Sequence, residues 1–403
     1  MTDANRQPRG PLSGTSVLDF SRVLAGPMAT QVLAELGADV IKVERPEVGD
    51  ESRTFEPRLP HGESAYFFAF NRAKRSITLD LKSERGRTIA RSLAARSDVV
   101  VENFLPGTMD GLGLGYEQLT AEHPGLVYVS CTGFGQTGPY RDRKGYDTVF
   151  QALSGIMSLT GQPDGPPAKA GIPVSDLTSG LWIVIAALSG LAGRAHDGRG
   201  RHLDLAMMDV QAALLPLAAA RLFALDEDPG RTGTEHPGRV PSAAFRCSDG
   251  GWLHISASDQ HWLPLCDVLG LEELARDDEL RSNAGRLARR SEVTAALRSA
   301  MSARTRADLA QALRAADIPA GEVNTVRETL QDPQLRARDM IGGFDHPAEG
   351  SFPALRTPLR ETGGQAPRLA PPPLLGADTD GVLRDELGLD DAEIDELRRT
   401  GVV

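Results

Sequence analysis

The sequence predicts an α/β protein: a Rossmann-like large domain built on a parallel sheet, joined to a smaller α+β domain. Two observations carry this. In the first half, short runs rich in β-branched residues alternate with helical stretches, the pattern of a parallel sheet covered on both faces. The chain is also 403 residues long, too long for one ordinary domain, and its later part turns to charged helices around isolated strand-like runs.

The elements follow in order. Ser16–Phe20 (SVLDF) reads as a short buried strand, followed by a turn at Gly26-Pro27. Met28–Leu36 reads as a helix stopped by Gly37, and Ala38–Val43 as the next strand. Ser76–Leu81 is a third strand, Ser83–Arg96 a helix, and Asp98–Glu102 and Leu126–Cys131 two further strands. In such sheets ligands lie beyond the carboxyl ends of the strands, so the loops after Phe20, Val43, Glu102 and Cys131 are the places to search. The apolar stretch Leu177–Ala195 is interrupted by Thr178, Ser179, Gly180, Ser189, Gly190 and Arg194, which favours a buried core helix over a membrane span. Leu203–Leu225 is alanine-rich and reads as one long helix. Pro229–Pro241 is a loop, Trp252–Ser256 a strand, and Leu271–Arg290 and Glu292–Ala316 are charged helices. Gly363–Pro373 is rich in Pro and Gly, and Asp391–Arg399 closes the chain as an acidic helix. The expected organisation is a tail over 1–12, a large domain over 13–200 and a linker helix over 201–225. A small domain over 226–332 and a C-terminal return over 333–403 complete it.

Composition narrows the function. The net charge of −11 repels polyanions, so nucleic acid is not the expected partner, although a local basic patch can still hold one phosphorylated ligand. Cys131, Cys247 and Cys266 are odd in number and widely spaced, which fits neither a disulfide framework nor a structural zinc site. A reducing, cytoplasmic compartment is expected. Residues 1–11 are polar and lack the apolar region of a signal peptide. The five lysines, Lys42, Lys74, Lys82, Lys144 and Lys169, all precede residue 170, and a lysine is a compact charge suited to a phosphate. No P-loop, HExxH or GxSxG pattern occurs, the run Gly111-Leu-Gly113-Leu-Gly115 is not GxGxxG and does not directly follow a strand, and the eight histidines show no metal-ligand spacing.

The informative stretch is Gly145–Gly180. After Gly145-Tyr146-Asp147 comes a short helical run, then a Gly/Pro-rich loop over Gly161–Pro173. Asp176 stands just before the apolar helix. An aspartate there is the expected helix N-cap. It is equally the place for a reactive carboxylate, held ionised at the positive end of a helix and facing a cleft. Position alone does not separate the two readings.

The chain resembles the class III CoA transferases, the family of formyl-CoA:oxalate and carnitine CoA-transferases that also includes α-methylacyl-CoA racemases. The resemblance runs through Leu18–Asp50 (LDFSRVLAGPMATQVLAELGADVIKVERPEVGD), Asn71–Gly86, Asp98–Gly107 (DVVVENFLPG), Ser130–Tyr140, Gly145–Gly155, Gly171–Gly180 (GIPVSDLTSG), Gly198–Asp209 and Leu374–Leu383. It implies that Asp176 is the nucleophile, attacking an acyl-CoA thioester to give an aspartyl–acyl anhydride. CoA or acyl-CoA is then a substrate, with no permanently bound cofactor and no metal. The resemblance places CoA contacts at Val23 and Leu24 through backbone groups, at Arg45, and at Leu79 to Lys82 around the adenine. It adds Asn103, Phe104, Lys144 and Tyr146. It also implies an interlocked homodimer. Succinyl-CoA is the first donor to consider.

Three departures stand out. Gly111 replaces a frequent CoA-touching arginine, and Thr234 replaces the Asn of a frequent GNxHP loop. Leu24 stands where formyl-CoA transferases carry Gln, which argues for an acyl group larger or less polar than oxalate. An α-methylacyl-CoA racemase needs two proton-transfer groups, and those enzymes have His where this chain has Tyr146. Tyrosine is a poor base near neutral pH, so transfer is preferred. A non-catalytic acyl-CoA-binding protein, with Asp176 only capping its helix, is the remaining alternative.

Overall fold

The computed structural model describes residues 10–360, 362 and 369–403. Six strands form one sheet: β1 (Ser16–Asp19), β2 (Asp39–Glu44), β3 (Arg75–Thr78), β4 (Val99–Glu102), β5 (Val127–Thr132) and β6 (Arg201–Ala206). Their order is β3-β2-β1-β4-β5-β6, and every pairing is parallel. Five helices bear on the site: α1 (Ala25–Glu35), α2 (Ala65–Phe70), α3 (Glu84–Ala94), α4 (Asp147–Leu153) and α5 (Val174–Asp197).

The strand pleat sorts the side chains. Val17, Val40, Val99, Val101, Val127 and Val129 pack with Ala29 and Leu33 of α1 and Ile183 and Ala187 of α5. Leu18, Ile41, Val43, Ile77, Val100 and Tyr128 pack on the other face, with Ile89 and Leu93 of α3 and Val382, Leu383, Ile394 and Leu397 of the last two helices. Both faces are covered, which is why the strands read as continuous apolar runs. Burying each such side chain contributes roughly 1.5–3 kcal/mol. Helix α5 runs against α1 at close range. A Cβ on Gly180 would stand 2.9 Å from the Ala25 carbonyl oxygen and 2.5 Å from the Met28 sulfur, so this crossing needs glycine. By length and composition α5 is also long and apolar enough to cross a membrane, but Ile183, Val184 and Ala187 line the sheet core.

The helix expected over 203–225 is not continuous. Residues 201–206 are the sixth strand, followed by helices Met207–Ala212 and Pro216–Leu225. The alternation in RHLDLA is a strand signal only six residues long, and the alanine-rich continuation masked it. Pro216 then starts a new helix because it cannot sit inside one. The chain divides into two compact units, 1–156 with 170–220 and 334–403, and 157–169 with 221–333. The second unit therefore also takes 157–169, and the expected linker is shared between the two.

In the second unit β7 (Ser242–Arg246), β8 (Trp252–Ser256) and β9 (Ala320–Glu322) form an antiparallel sheet in that order. Trp262, Leu265, Leu297 and Leu313 pack its core. The two long charged helices expected over 271–316 are broken into shorter ones. Ser282 accepts from the Gly285 N–H and Thr305 from the Asp308 N–H, and each such cap starts a fresh helix.

The C-terminal residues return to the first unit after a hairpin of β10 (Ile341–His346) and β11 (Gly350–Leu355). They cover the open edge at β3. The Ser76 N–H donates to the Asp378 carboxylate at 2.9 Å, the Asp378 N–H to the Ser76 carbonyl at 2.9 Å, and the Asp80 N–H to the Val402 carbonyl at 2.8 Å. An exposed strand edge is thereby closed. Most of the Pro/Gly-rich segment, residues 363–368, lies outside the described residues.

Candidate active site

Strand order reverses between β1 and β4, and the loops after these two strands meet there. The Arg22 N–H donates to Asn103 Oδ1 at 2.8 Å, and Asn103 Nδ2 donates back to the Arg22 carbonyl at 2.8 Å. The Arg22 guanidinium lies 4.6 Å from the centroid of the Phe104 ring. Val23 has φ 70°, a left-handed conformation that a β-branched residue resists. Such strain costs of order 1–3 kcal/mol and marks a position fixed by its surroundings. The fixing group is Asp50, whose carboxylate accepts the Val23 N–H at 3.1 and 3.2 Å. That N–H is therefore occupied, which removes one of the backbone contacts expected for the nucleotide. Leu24 turns inward and is 1 % exposed.

Beneath this loop lies a buried ion network. Lys42 pairs with Asp50 at 2.9 Å, both side chains fully buried, and Lys42 Nζ also donates to the Ser21 carbonyl at 2.8 Å. Lys74 pairs with Asp19 at 3.1 Å, and Asp19 accepts from the N–H and hydroxyl of Ser21. Arg53 holds Glu44 through two bonds of 2.7 Å. Burial pushes the Asp50 carboxyl up, but Lys42 and the bonds from Ser52 outweigh it and hold the group well below the usual range. Burial likewise works against the Lys42 charge, and the carboxylates Asp50, Asp19 and Glu44 overcome it and raise the pKa. Lys74, repelled by Lys42, falls to about 8, chiefly through burial. Lys42 and Lys74 thus position the loop through buried pairs and are not free to hold a phosphate.

The other expected contacts fall on neighbouring loops. Arg45 is exposed after β2, on the turn that leads to Asp50. Lys82 is exposed after β3, whereas the Leu79 side chain belongs to the core, so only its backbone is left to face a ligand. Lys144 and Tyr146 are exposed just before α4, Tyr146 by 78 %. The structure brings Val23, Asn103 and Phe104 together directly through Arg22. Among the described residues no hydrogen bond, ion pair or ring contact joins Lys144 or Tyr146 to that group.

Asp176 is not the N-cap. Pro173 occupies that position, and Asp176 sits in the first turn of α5. The cap comes from another helix: Asp147 Oδ1 accepts the N–H of Ser175 at 2.8 Å and of Asp176 at 3.2 Å. Among the described residues nothing donates a hydrogen bond to the Asp176 carboxylate. Burial, and then the charge of Asp147, push that carboxyl up to about 7. The N-cap reading is thus corrected, and burial and a like charge act against the ionised form that a helix start favours.

Against this geometry, residues 12–379 match the family model described as CoA-transferase family III. The chain belongs to CoA-transferase family III. A relative from Agrobacterium fabrum named succinate–glutarate CoA-transferase is 39 % identical and covers 99 % of each chain. One from Acetobacter aceti named acetyl-CoA:oxalate CoA-transferase is 40 % identical over 83 % of this chain and 86 % of its own. A solved structure of a CAIB/BAIF family protein from Brucella suis superposes with a TM-score of 0.84, at 41 % identity, over 94 % of this chain and 99 % of that one.

In this family III enzyme the sequence reading missed several groups around the carboxylate. Tyr66 of α2 is one: burial raises its pKa first, and the charges of Asp176 and Asp147 raise it further, which places its ring within electrostatic reach of both. Gln151, bonded to Asp147, and Asp50, whose charge reaches Tyr66, stand one step further out. The signals present were slight, namely an Asp and a Gln four residues apart in Asp147–Gln151, and an Asp ending a Gly turn at Asp50. Separately, Glu102 lies at the end of β4 beside a cavity of about 100 Å³, and burial pushes it up to about 7. Asp176 does not line that cavity.

Proposed function

We propose that the enzyme moves CoA from an acyl-CoA to a free carboxylic acid, with Asp176 as the nucleophile. The supporting observation is a half-buried carboxylate in the first turn of a helix, with no hydrogen-bond donor to it among the described residues, and pushed up to about 7 by burial and the charge of Asp147. A carboxylate stripped of donors is more basic and more nucleophilic than one in water, which is what a weak nucleophile needs.

The steps balance without a cofactor. An Asp176 oxygen forms a bond to the acyl carbon, the C–S bond breaks, and CoA leaves as thiolate. The thiolate attacks the aspartyl carbonyl and releases the donor acid. The acceptor carboxylate then attacks the aspartyl–CoA thioester, and the returning thiolate takes the new acyl group and frees Asp176. No oxidation state changes and no net proton is consumed. Arg45, Asn103 and Phe104 flank the expected CoA path at the strand ends, with Val23 and Leu24 forming the backbone of the loop beside it. Leu79 to Lys82, Lys144 and Tyr146 flank it.

Succinyl-CoA is the donor and glutarate the acceptor to assay first, given the name of the Agrobacterium relative. Incubation with succinyl-CoA, followed by borohydride reduction and peptide mass spectrometry, is expected to mark Asp176. A mark elsewhere, or none, overturns the assignment. The rival reading, racemisation, is separated in D₂O. Deuterium appearing at Cα of a 2-methylacyl-CoA without any acceptor acid would support the racemase.

The working form is proposed to be an interlocked homodimer. Leu181, Trp182, Ile185 and Leu188 form one helical stripe on α5 that is 36–50 % exposed, an apolar face of the kind that marks an interface. A second copy is the expected cover, and light scattering of the full chain and of Ile185→Glu tests it. A cytoplasmic setting suits Cys131, Cys247 and Cys266, which are all buried and unpaired.

A further inference from the structure

Helix α5 begins without a cap of its own. Pro173 offers no side-chain acceptor, and the first amides point toward α4. Asp147, the first residue of α4, accepts two of them, from Ser175 and Asp176. Its second oxygen, Oδ2, accepts Gln151 Nε2 at 2.6 Å. Gln151 is fully buried, and its Oε1 accepts the Ala170 N–H at 2.9 Å, at the entry to the segment that leads into α5. One chain of bonds therefore runs from Ala170 through Gln151 and Asp147 to the backbone of Asp176 itself.

We propose that Asp147 is the positioning residue for the nucleophile, capping α5 from α4 and, through Gln151, fixing the approach at Ala170, so that the Asp176 carboxylate is presented in one orientation. The inference rests on Asp176 being the nucleophile. A cap alone does not call for a charge, because asparagine caps a helix as well as aspartate does. Here the charge stands beside another carboxylate and works against its ionisation, an arrangement a purely structural cap would avoid. Two demands account for it. Both oxygens must accept hydrogen bonds, which asparagine cannot supply. The like charge also keeps Asp176 basic.

The titratable groups coupled to Asp176 are Asp147 on α4, Tyr66 on α2 and Cys131 on β5. Helix α1 faces α5 with Ala25 and Met28, and helix Met207–Ala212 presents Gln211 to Thr178. Strand β6 meets α5 only further along, where Leu203 and Arg201 approach Gly190 and Gly193. Of these neighbours Asp147 is the one whose charge raises the Asp176 carboxyl.

The test compares the full-length wild type with Asp147→Ala and Asp147→Asn, assayed with succinyl-CoA and glutarate. Asp147→Ala is expected to lower kcat by about 100-fold while KM for succinyl-CoA stays within about threefold, the split expected when orientation rather than binding is lost. Amide hydrogen exchange at Ser175 and Asp176 is expected to speed up by about tenfold in the same variant. Asp147→Asn keeps the cap, so it retains slow exchange at both amides and recovers part of kcat. In both variants the acidic limb of the pH–rate profile moves to lower pH, because the like charge is gone. Unchanged kcat and unchanged exchange in Asp147→Ala overturn the proposal. If that variant does not fold, an unshifted acidic limb in Asp147→Asn overturns it instead. If the wild type transfers no CoA between these substrates, the functional reading is what has failed. Exchange at Ser175 and Asp176, with the Asp176 carboxyl titration followed by carbon-13 NMR, then still decides the role of Asp147.

Discussion

Asp50, fully buried, and Asp176, half-buried, are carboxylates at the carboxyl-terminal side of the sheet, and they are held in opposite ways. Asp50 has a lysine at 2.9 Å and hydrogen bonds from Ser52, so its charge is fixed. Asp176 has no donor among the described residues and a second carboxylate nearby, so its charge is unfavourable and available. The first arrangement builds a rigid strained loop at Val23. The second leaves a carboxylate that the proposed mechanism uses as its nucleophile. A buried charge that is satisfied serves the scaffold, and one that is left wanting serves the chemistry.

The comparison breaks most sharply at Asp176. Asp176→Asn is expected to lower kcat by at least about a thousandfold, the scale of losing a covalent nucleophile. Retained transfer activity in that variant would remove the contrast altogether. The structure also makes this substitution cleaner than the sequence implied, because Asp176 does not cap its own helix.

At the other carboxylate, Asp50→Ala leaves Lys42 buried without its nearest partner. Removing one member of a buried pair costs about 3–5 kcal/mol, measurable by urea denaturation. Replacing both, as Lys42→Met with Asp50→Leu, is expected to cost less, since no charge is stranded. A double variant as unstable as the single one would show that the pair stabilises by more than mutual neutralisation.

The two groups also differ in how pH acts through them. Asp176 has a native pKa of about 7 against an ordinary 3.8, so the folded chain binds this proton more tightly than the unfolded chain. Its contribution is complete below pH 3.8 and is lost as pH rises toward 7. Asp176→Asn should therefore leave stability unchanged near pH 4 and raise it above pH 7, by no more than about 4 kcal/mol. Asp50, with its pKa depressed, contributes above its ordinary 3.8 and loses that contribution as pH falls below it. Thermal melts of wild type and Asp176→Asn at several pH values check the sign.

The smallest effect belongs to the exposed cations. Lys82→Ala is expected to weaken CoA binding by about two- to fivefold, and less at high salt, as for any solvated charge. Calorimetry with CoA at two ionic strengths tests this. A much larger loss would mean that Lys82 is held in place when CoA binds.

Much of this was legible in the chain itself. The runs at Ser16–Phe20, Ala38–Val43, Asp98–Glu102 and Leu126–Cys131 are apolar on both sides of the pleat, so the parallel sheet announced itself. The β6 strand did not, because RHLDLA is polar on one side, sits at the edge and runs on into an alanine-rich stretch. The site was legible only in part. Asp176 stood out by its place in the Gly171–Gly180 motif, but the possibility that it caps its own helix is not what the structure shows. Its cap lies twenty-nine positions away at Asp147, and no local pattern connects the two.

Sequence by itself determined the sheet of short apolar strands, the long apolar helix after Asp176, the odd and scattered cysteines, and the motif order that points to CoA chemistry. These depend on local periodicity and on residue types in fixed succession. Only the tertiary structure decided which charges are satisfied. Lys42 and Lys74, indistinguishable in the sequence from the other three lysines, are the buried partners of Asp50 and Asp19, while Asp176, which the sequence also allowed as a cap, has its own backbone N–H capped by Asp147. A charge acquires its role from what surrounds it once water is removed, and those surroundings come from segments that the chain order keeps apart.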